Sequence, residues 1–140
     1  MCALQRPLDD QTQLRLKLEA VAVLSILEHC RTGGAELVSS DALTFETNQN
    51  PHPDRRTFAE TVLADAGVHQ PLTPAVQSRA MVLEAGEMKP LDALHVASAE
   101  AAGAVYFCTC DDRLLRRARV AVTPPLRAMS PLELTTELNL

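Results

Sequence analysis

Apolar residues recur along the chain in two alternating patterns. Longer stretches carry apolar positions at helical spacing, and short apolar runs lie between them, bounded by glycine, proline or aspartate. Helices are predicted over residues 11–30, 41–47, 53–67, 74–86, 90–103 and 111–119, with a last short helix after Ser130-Pro131. Strands are predicted over residues 36–39, 68–72, 104–109 and 120–122. This alternation predicts one α/β domain over residues 1–140, with parallel strands joined by right-handed crossovers.

The first predicted helix carries its large apolar residues on one face. Leu14, Leu18, Val21 and Leu24 follow helical spacing. We interpret this face, and the apolar face of the helix predicted over residues 53–67, as core rather than as a partner surface.

Composition narrows the class of protein. Hydrophobic residues make up 46% of the 140 residues and charged residues 22%, as in a soluble globular domain. Aromatic residues make up only 3%, which disfavours stacking platforms for single-stranded nucleic acid. The net charge of −5 argues against a protein that coats nucleic acid by charge alone.

The same composition sets the expected environment of the protein. No apolar run approaches the roughly 20 residues that span a bilayer, and no signal peptide is visible. The four cysteines lack the C-x-x-C spacing of a zinc site, and we interpret them as buried small residues in a reducing compartment. A cytoplasmic protein without membrane contact is therefore expected.

Three acidic residues lie where a parallel sheet would gather them. Glu46 follows one predicted strand, Asp111 ends another, and Asp92 lies in the first turn of a helix. Ligands of open α/β sheets bind beyond the carboxyl ends of the strands. Gathered there, the three carboxylates would suit Mg²⁺ or Mn²⁺. Singly, each has an ordinary explanation: Asp92 favours a helix start, Asp111 can cap a helix, and Glu46 can be solvated.

Two segments resemble a known family. Lys-Pro-Leu-Asp-Ala-Leu-His-Val-Ala-Ser-Ala over residues 89–99 precedes Tyr-Phe-Cys-Thr-Cys-Asp-Asp-Arg-Leu-Leu over residues 106–115. An Asp-Ala-Leu-His helix start followed by a strand that ends in Thr-x-Asp resembles PIN domains, which include the toxin ribonucleases of bacterial toxin–antitoxin pairs. The resemblance extends to residues 6–13, 39–46 and 130–133, and so covers nearly the whole chain.

The resemblance implies a three-layer fold, with a parallel central sheet and helices on both faces. It also implies a carboxylate cluster that binds Mg²⁺ or Mn²⁺ and cleaves RNA. Glu46, Asp92 and Asp111 match the second, third and fourth family acids. Asp112 matches as an accessory metal ligand, and Thr109 matches a polar residue that supports the site.

Two further groups carry candidate roles and ordinary alternatives. Arg113, Arg116 and Arg117 share a helix face and would hold RNA phosphates, or form a solvated face. His95 would orient Asp92 or move a proton, or be a partly buried histidine with satisfied hydrogen bonds; we favour the last interpretation.

The chain departs from the family at its start. Family members open with a short apolar strand that ends in a metal-binding aspartate, whereas Met1–Leu4 match the residues just past it. The first strand is therefore predicted to be absent, which would expose two strand edges. A start placed too late explains this, as does a truncated copy; we favour the first because the other acids are present.

These observations lead to two main hypotheses. The first is a Mg²⁺- or Mn²⁺-dependent endoribonuclease, the toxin of a toxin–antitoxin pair, with RNA as substrate, an antitoxin as partner and a homodimer as its assembly. The alternative is a catalytically impaired PIN relative that binds RNA or protein. A nuclease for DNA or for RNA maturation is a third interpretation.

Overall fold

The computed structural model describes residues 2–140. It has a mixed α/β fold with parallel strands, as predicted. The helices are α1 (Cys2–Gln5), α2 (Leu14–Arg31), α3 (Asp41–Gln49), α4 (Pro53–Ala64), α5 (Pro74–Ala85), α6 (Pro90–Ala101), α7 (Asp112–Ala121) and α8 (Pro131–Glu137), and a 3₁₀ turn covers Arg6–Leu8. The strands are β1 (Val38–Ser40), β2 (Val68–Gln70), β3 (Tyr106–Cys108) and β4 (Arg127–Met129). Within residues 2–140, none of the helices is long and apolar enough to cross a bilayer.

The strands of this part of the chain form two parallel pairs rather than the single central sheet that was predicted. In one pair Val38 of β1 lies beside Val68 of β2, and in the other Tyr106 of β3 lies beside Arg127 of β4. Among residues 2–140, no strand joins the two pairs into one sheet. One edge of β1 and one edge of β3 therefore have no strand beside them within this part of the chain.

The prediction of a strand over residues 120–122 is wrong. Helix α7 continues to Ala121, and Val120 lies on its surface with 89% of its area exposed. The fourth strand is instead β4, where Arg127 N donates to Val105 O at 2.8 Å and Thr109 N donates to Met129 O at 3.1 Å. The segment Arg127–Met129 has little intrinsic preference for a strand, yet it pairs with β3. The β-branched Val120 and Val122, which favour strands, lie instead at the end of α7.

The main hydrophobic cluster lies between residues 76 and 128. Helices α5 and α6 pack closely, since Ala93 and Ala97 leave little side chain between the backbones. The cluster contains Val76, Ala80, Leu83, Met88, Ala93, Val96, Ala97, Leu114, Leu115, Ala118 and Ala128. Both α6 and α7 contribute residues to this cluster, and the first turn of α6 lies beside the start of α7.

The predicted core face of α2 is exposed, so that prediction is wrong. Leu14 is 72% exposed, and Leu18, Val21 and Leu24 are also exposed. Helix α2 instead buries Ala20, Ala22 and Val23 and, on the same side, the charged Glu19.

The reason lies in what α2 packs against. Its contacts are mainly with the 3₁₀ turn and α8, where small side chains permit close approach. Glu19 can be buried there because Arg15 Nε lies 2.9 Å from its carboxylate and Arg6 Nε lies 3.8 Å away. The apolar face of the helix predicted over residues 53–67 is core only in part: on α4, Ala59 is fully buried, but Phe58 and Val62 are half-buried.

Candidate active site

Asp92 and Asp111 lie at the starts of helices, whereas Glu46 lies further along α3. Ser40 ends β1 and caps α3, its Oγ accepting from Leu43 N at 3.1 Å, and Glu46 follows in α3. Asp92 lies in the first turn of α6. Asp111 follows β3 and is the N-cap of α7. The fold brings Asp111 near Asp92 at the first turn of α6, and it brings Glu46 to His95 further along the same helix.

Glu46 and His95 form the direct contact between α3 and α6. His95 Nε2 lies 2.6 Å from Glu46 Oε2, with His95 buried and Glu46 partly exposed. Burial raises the pKa of the Glu46 carboxyl, but the hydrogen bond and charge of His95 outweigh it, and the pKa lies below its usual range. Glu46 is thus held as a carboxylate beside the candidate site.

Asp92 has the opposite electrostatic balance. Burial raises the pKa of its carboxyl, the nearby charge of Asp111 raises it further, and the charges of His95 and Lys89 lower it only in part. Asp92 lines a small cleft together with Met88, Lys89, Asp111, Arg113, Leu114 and Arg117. A half-buried carboxylate beside a second carboxylate is a place where a cation would be stabilised.

Asp111 caps helix α7, which is the ordinary role that the sequence analysis allowed for it. Its Oδ1 accepts from Arg113 N at 2.9 Å and from Leu114 N at 3.1 Å, which caps α7. The buried Thr109 accepts from Asp111 N through Oγ1 at 3.1 Å, so Thr109 supports the geometry of this turn. The cap uses only one oxygen of the Asp111 carboxylate, and Oδ2 takes no part in it.

Asp112 is bound by an arginine from another helix. Arg15 of α2 donates from Nη1 and Nη2 to the two Asp112 oxygens at 2.9 and 2.8 Å. This pairing lowers the pKa of the Asp112 carboxyl. To act as the predicted accessory metal ligand, Asp112 would have to leave Arg15.

The three candidate RNA-binding arginines divide into two groups. Arg113 and Arg117 line the cleft with Asp92, and Arg117 also binds the carbonyl oxygen and the carboxylate of Glu87. Arg116 lies near enough to Asp112 to lower the pKa of its carboxyl. The shared helix face therefore places two of the cations beside the carboxylates.

The donor chemistry suits a divalent cation, while the arrangement is incomplete. Carboxylate oxygens are the ligands that Mg²⁺ and Mn²⁺ prefer, and the Asp92 and Asp111 charges already interact. Within residues 2–140, however, no three His, Cys, Asp or Glu side chains are grouped closely enough to hold a metal ion. Asp92 and Asp111 fit as a pair of ligands, whereas the Glu46 carboxylate is hydrogen-bonded to His95.

Sequence patterns did not reveal two of these contacts. The hypothesis that His95 orients Asp92 came from their spacing on one helix, whereas the hydrogen bond of His95 runs to Glu46. The pairing of Arg15 with Asp112 joins residues that are 97 positions apart. No local signal announces either partner, because each contact depends on how helices pack across the fold.

Comparison with models of known families identifies the family of this chain. The model of the PIN domain family matches residues 17–120, which include Glu46, Asp92 and Asp111. A search of curated proteins and a search of solved structures found no match. PIN domains are generally nucleases that bind nucleic acid and use divalent metals. Since the match covers well over half of the sequence, the chain belongs to the PIN domain family.

Proposed function

We propose that this protein is a Mg²⁺- or Mn²⁺-dependent endoribonuclease. The observation that carries the proposal is the cleft at the start of α6. There the half-buried carboxyl of Asp92 has a raised pKa and lies near Asp111, with Lys89, Arg113 and Arg117 around it. Carboxylates that repel each other beside cations are arranged to take up a metal ion and an anionic substrate together.

The proposed ligands are Asp92 and Asp111, with Glu46 as third ligand and Asp112 as accessory. A bound Mg²⁺ or Mn²⁺ supplies an activated water and offsets negative charge on the scissile phosphate. Around it, the chain's own groups have separate tasks. Thr109 keeps the Asp111 turn in place, and Arg113 and Arg117 bind the phosphates that flank the scissile bond.

The finer biological role is part of the proposal. The resemblance of residues 89–99 and 106–115 to toxin ribonucleases supports a toxin of a toxin–antitoxin pair. Its partners would then be substrate RNA, an antitoxin protein and a second copy of the chain, in the cytoplasm. The acidic net charge of −5 fits an enzyme whose grip on RNA is confined to a local basic patch.

One observation favours a second candidate function. The part of the chain that the structure describes does not assemble three metal-binding side chains, and Glu46 is held by His95. A PIN relative with impaired catalysis that binds RNA or protein would also show these features.

Cleavage of a mixed RNA pool by the purified chain tests the proposal. We expect cleavage with Mn²⁺ or Mg²⁺, none with EDTA, and none for Asp92→Asn. Asp54→Asn is the matched control, because Asp54 is an exposed aspartate in the first turn of another helix, α4. A single-stranded DNA pool in parallel separates a ribonuclease from a nuclease that acts on DNA.

The possible results separate the two functions. Equal cutting by Asp92→Asn and the unchanged chain would show a contaminating activity and contradict the proposal. Absence of cutting together with RNA binding that survives Asp92→Asn would favour the binding protein.

A further inference from the structure

We propose that His95 is a positioning residue that holds Glu46 in the orientation needed to bind the cation. The inference rests on the proposed function and deepens it, because it assigns a task to a residue that is not itself a ligand. His95 lies on α6 three residues after Asp92, so its bond ties Glu46 of α3 to the helix that carries Asp92.

The hydrogen bond has the geometry of a specific contact. The distance of 2.6 Å between His95 Nε2 and Glu46 Oε2 is short for a bond between nitrogen and oxygen. An ionised carboxylate can only accept, so Nε2 carries the proton. The His95 side chain is 7% exposed and that of Glu46 is 30% exposed, so solvent competes little for the imidazole.

All the hydrogen bonding found for His95 is directed at Glu46. The other ring nitrogen, Nδ1, is buried and has no hydrogen-bond partner among the described residues. The ring is therefore placed by packing within α6, whose neighbouring residues Ala93, Val96 and Ala97 are buried in the main cluster. A rigid ring that makes one bond is suited to fixing its partner.

The bond leaves Glu46 able to act as a ligand. His95 occupies Oε2, and Glu46 retains Oε1 for a cation. Partners in the outer shell of a metal site orient its ligands, and their loss typically lowers metal affinity about 10- to 100-fold. Without His95, the Glu46 side chain on α3 would have more rotamer freedom, and the entropy lost in ordering it would oppose metal binding.

Titration of Mn²⁺ against the purified full chain, with free Mn²⁺ measured by electron paramagnetic resonance, tests the inference without any catalytic readout. We expect His95→Phe to lower Mn²⁺ affinity about 10-fold or more, because its ring fills the space but cannot donate. His95→Gln should stay within a few-fold of the unchanged chain, because its amide nitrogen can donate to Glu46. Glu46→Gln should resemble His95→Phe, and the double variant should lose no more than either one.

Each outcome decides the inference. Unchanged Mn²⁺ affinity in a folded His95→Phe variant overturns it, and so does an equal loss in His95→Gln and His95→Phe, which would indicate packing rather than the hydrogen bond. Thermal melting in EDTA shows whether each variant folds. If His95→Phe does not fold, His95→Gln and Glu46→Gln decide: weak binding by the first or unaltered binding by the second overturns the inference.

A further variant separates this inference from the proposed function. If Asp92→Asn leaves Mn²⁺ affinity unchanged, the metal site itself is contradicted. If Asp92→Asn abolishes binding while His95→Phe leaves it unchanged, the metal site remains supported and only the role of His95 fails.

Discussion

The two halves of the chain are held together by different physical means. Residues 76–128 contain the main apolar cluster, in which Val76, Val96 and Ala118 are at most 1% exposed. In residues 2–70 the buried apolar side chains are small: Ala20, Ala22, Val23, Ala42 and Ala59. This half relies instead on directional contacts, such as Gln5 Nε2 donating to Arg55 O at 3.0 Å and Arg55 pairing with Asp9 at 2.9 Å.

The difference bears on the site because the halves meet there. Glu46 comes from the first half, and Asp92 and Asp111 come from the second. The bond between Glu46 and His95 is a direct link between them. Apolar burial is non-directional and tolerates small shifts, whereas ion pairs and hydrogen bonds fix particular atoms. We therefore expect the apolar cluster of the second half to supply most of the stability, and directional contacts such as the bond between Glu46 and His95 to fix particular side chains at the site.

The largest expected effect on stability appears when two separate leucine-to-alanine substitutions, one in each half, are compared. Leu83 of α5 is 3% exposed and Leu18 of α2 is 46% exposed. Leu83→Ala should lower the free energy of unfolding by about 2–5 kcal/mol, because it leaves a cavity in the cluster. Leu18→Ala should change it by about 0.5 kcal/mol or less. Urea unfolding measures both, and a larger loss for Leu18→Ala would show that the α2 face is covered in solution.

The next effect concerns the buried charge of the first half. Glu19 has a side chain that is 5% exposed and pairs with Arg15 and Arg6. Glu19→Gln should lower the free energy of unfolding by about 1–3 kcal/mol, because it leaves the arginines with a weaker, neutral acceptor. Glu28→Gln on the same helix, where the pair with Arg31 is exposed, is the matched control and should have little effect. Equal urea midpoints for the two variants would contradict this account.

A smaller effect depends on pH and belongs to the second half. Burial raises the pKa of the Glu100 carboxyl, but Arg79 and Thr123 outweigh it, so the folded pKa lies below the unfolded one. The ionised carboxylate therefore stabilises the fold above the unfolded pKa of about 4.3, and this contribution is lost as pH falls through the folded pKa. The stability difference between the unchanged chain and Glu100→Gln should shrink as the pH falls through this range. A difference that stays constant with pH would show that the charge is not responsible.

The smallest expected effect is on the melting temperature of a variant at Asp92, which lies where the two halves meet. The folded pKa of Asp92 is raised, so its ionisation costs stability as pH rises above the unfolded value of about 3.9. In EDTA at neutral pH, Asp92→Asn should therefore melt slightly above the unchanged chain, and the gain should vanish in acid. Added Mn²⁺ should stabilise the unchanged chain more than the variant. A variant that melts lower at neutral pH would contradict this prediction.

Local patterns predicted most elements of both halves, with one error in each: the strand over residues 120–122 in the second half and the buried face of α2 in the first. The alanine-rich helix α6, the strand at Tyr106 and the capped start of α7 all agree with their propensities, and the α/β class is confirmed. Helix α2 was found, but its buried face was predicted on the wrong side. Hydrophobic spacing identifies a helix and the side on which its apolar residues lie, but the packing partner determines whether that side is covered.

The sequence by itself determined the order of helices and strands, the parallel class, the family and the positions of the candidate acids. Each of these depends on residues that are near one another in the chain. Only the tertiary structure decided that β4 rather than residues 120–122 pairs with β3, and that Arg15 binds Asp112. It alone decided that His95 contacts Glu46 rather than Asp92. The physical reason is that these contacts join distant segments, and the packing of helices selects partners that local spacing cannot specify.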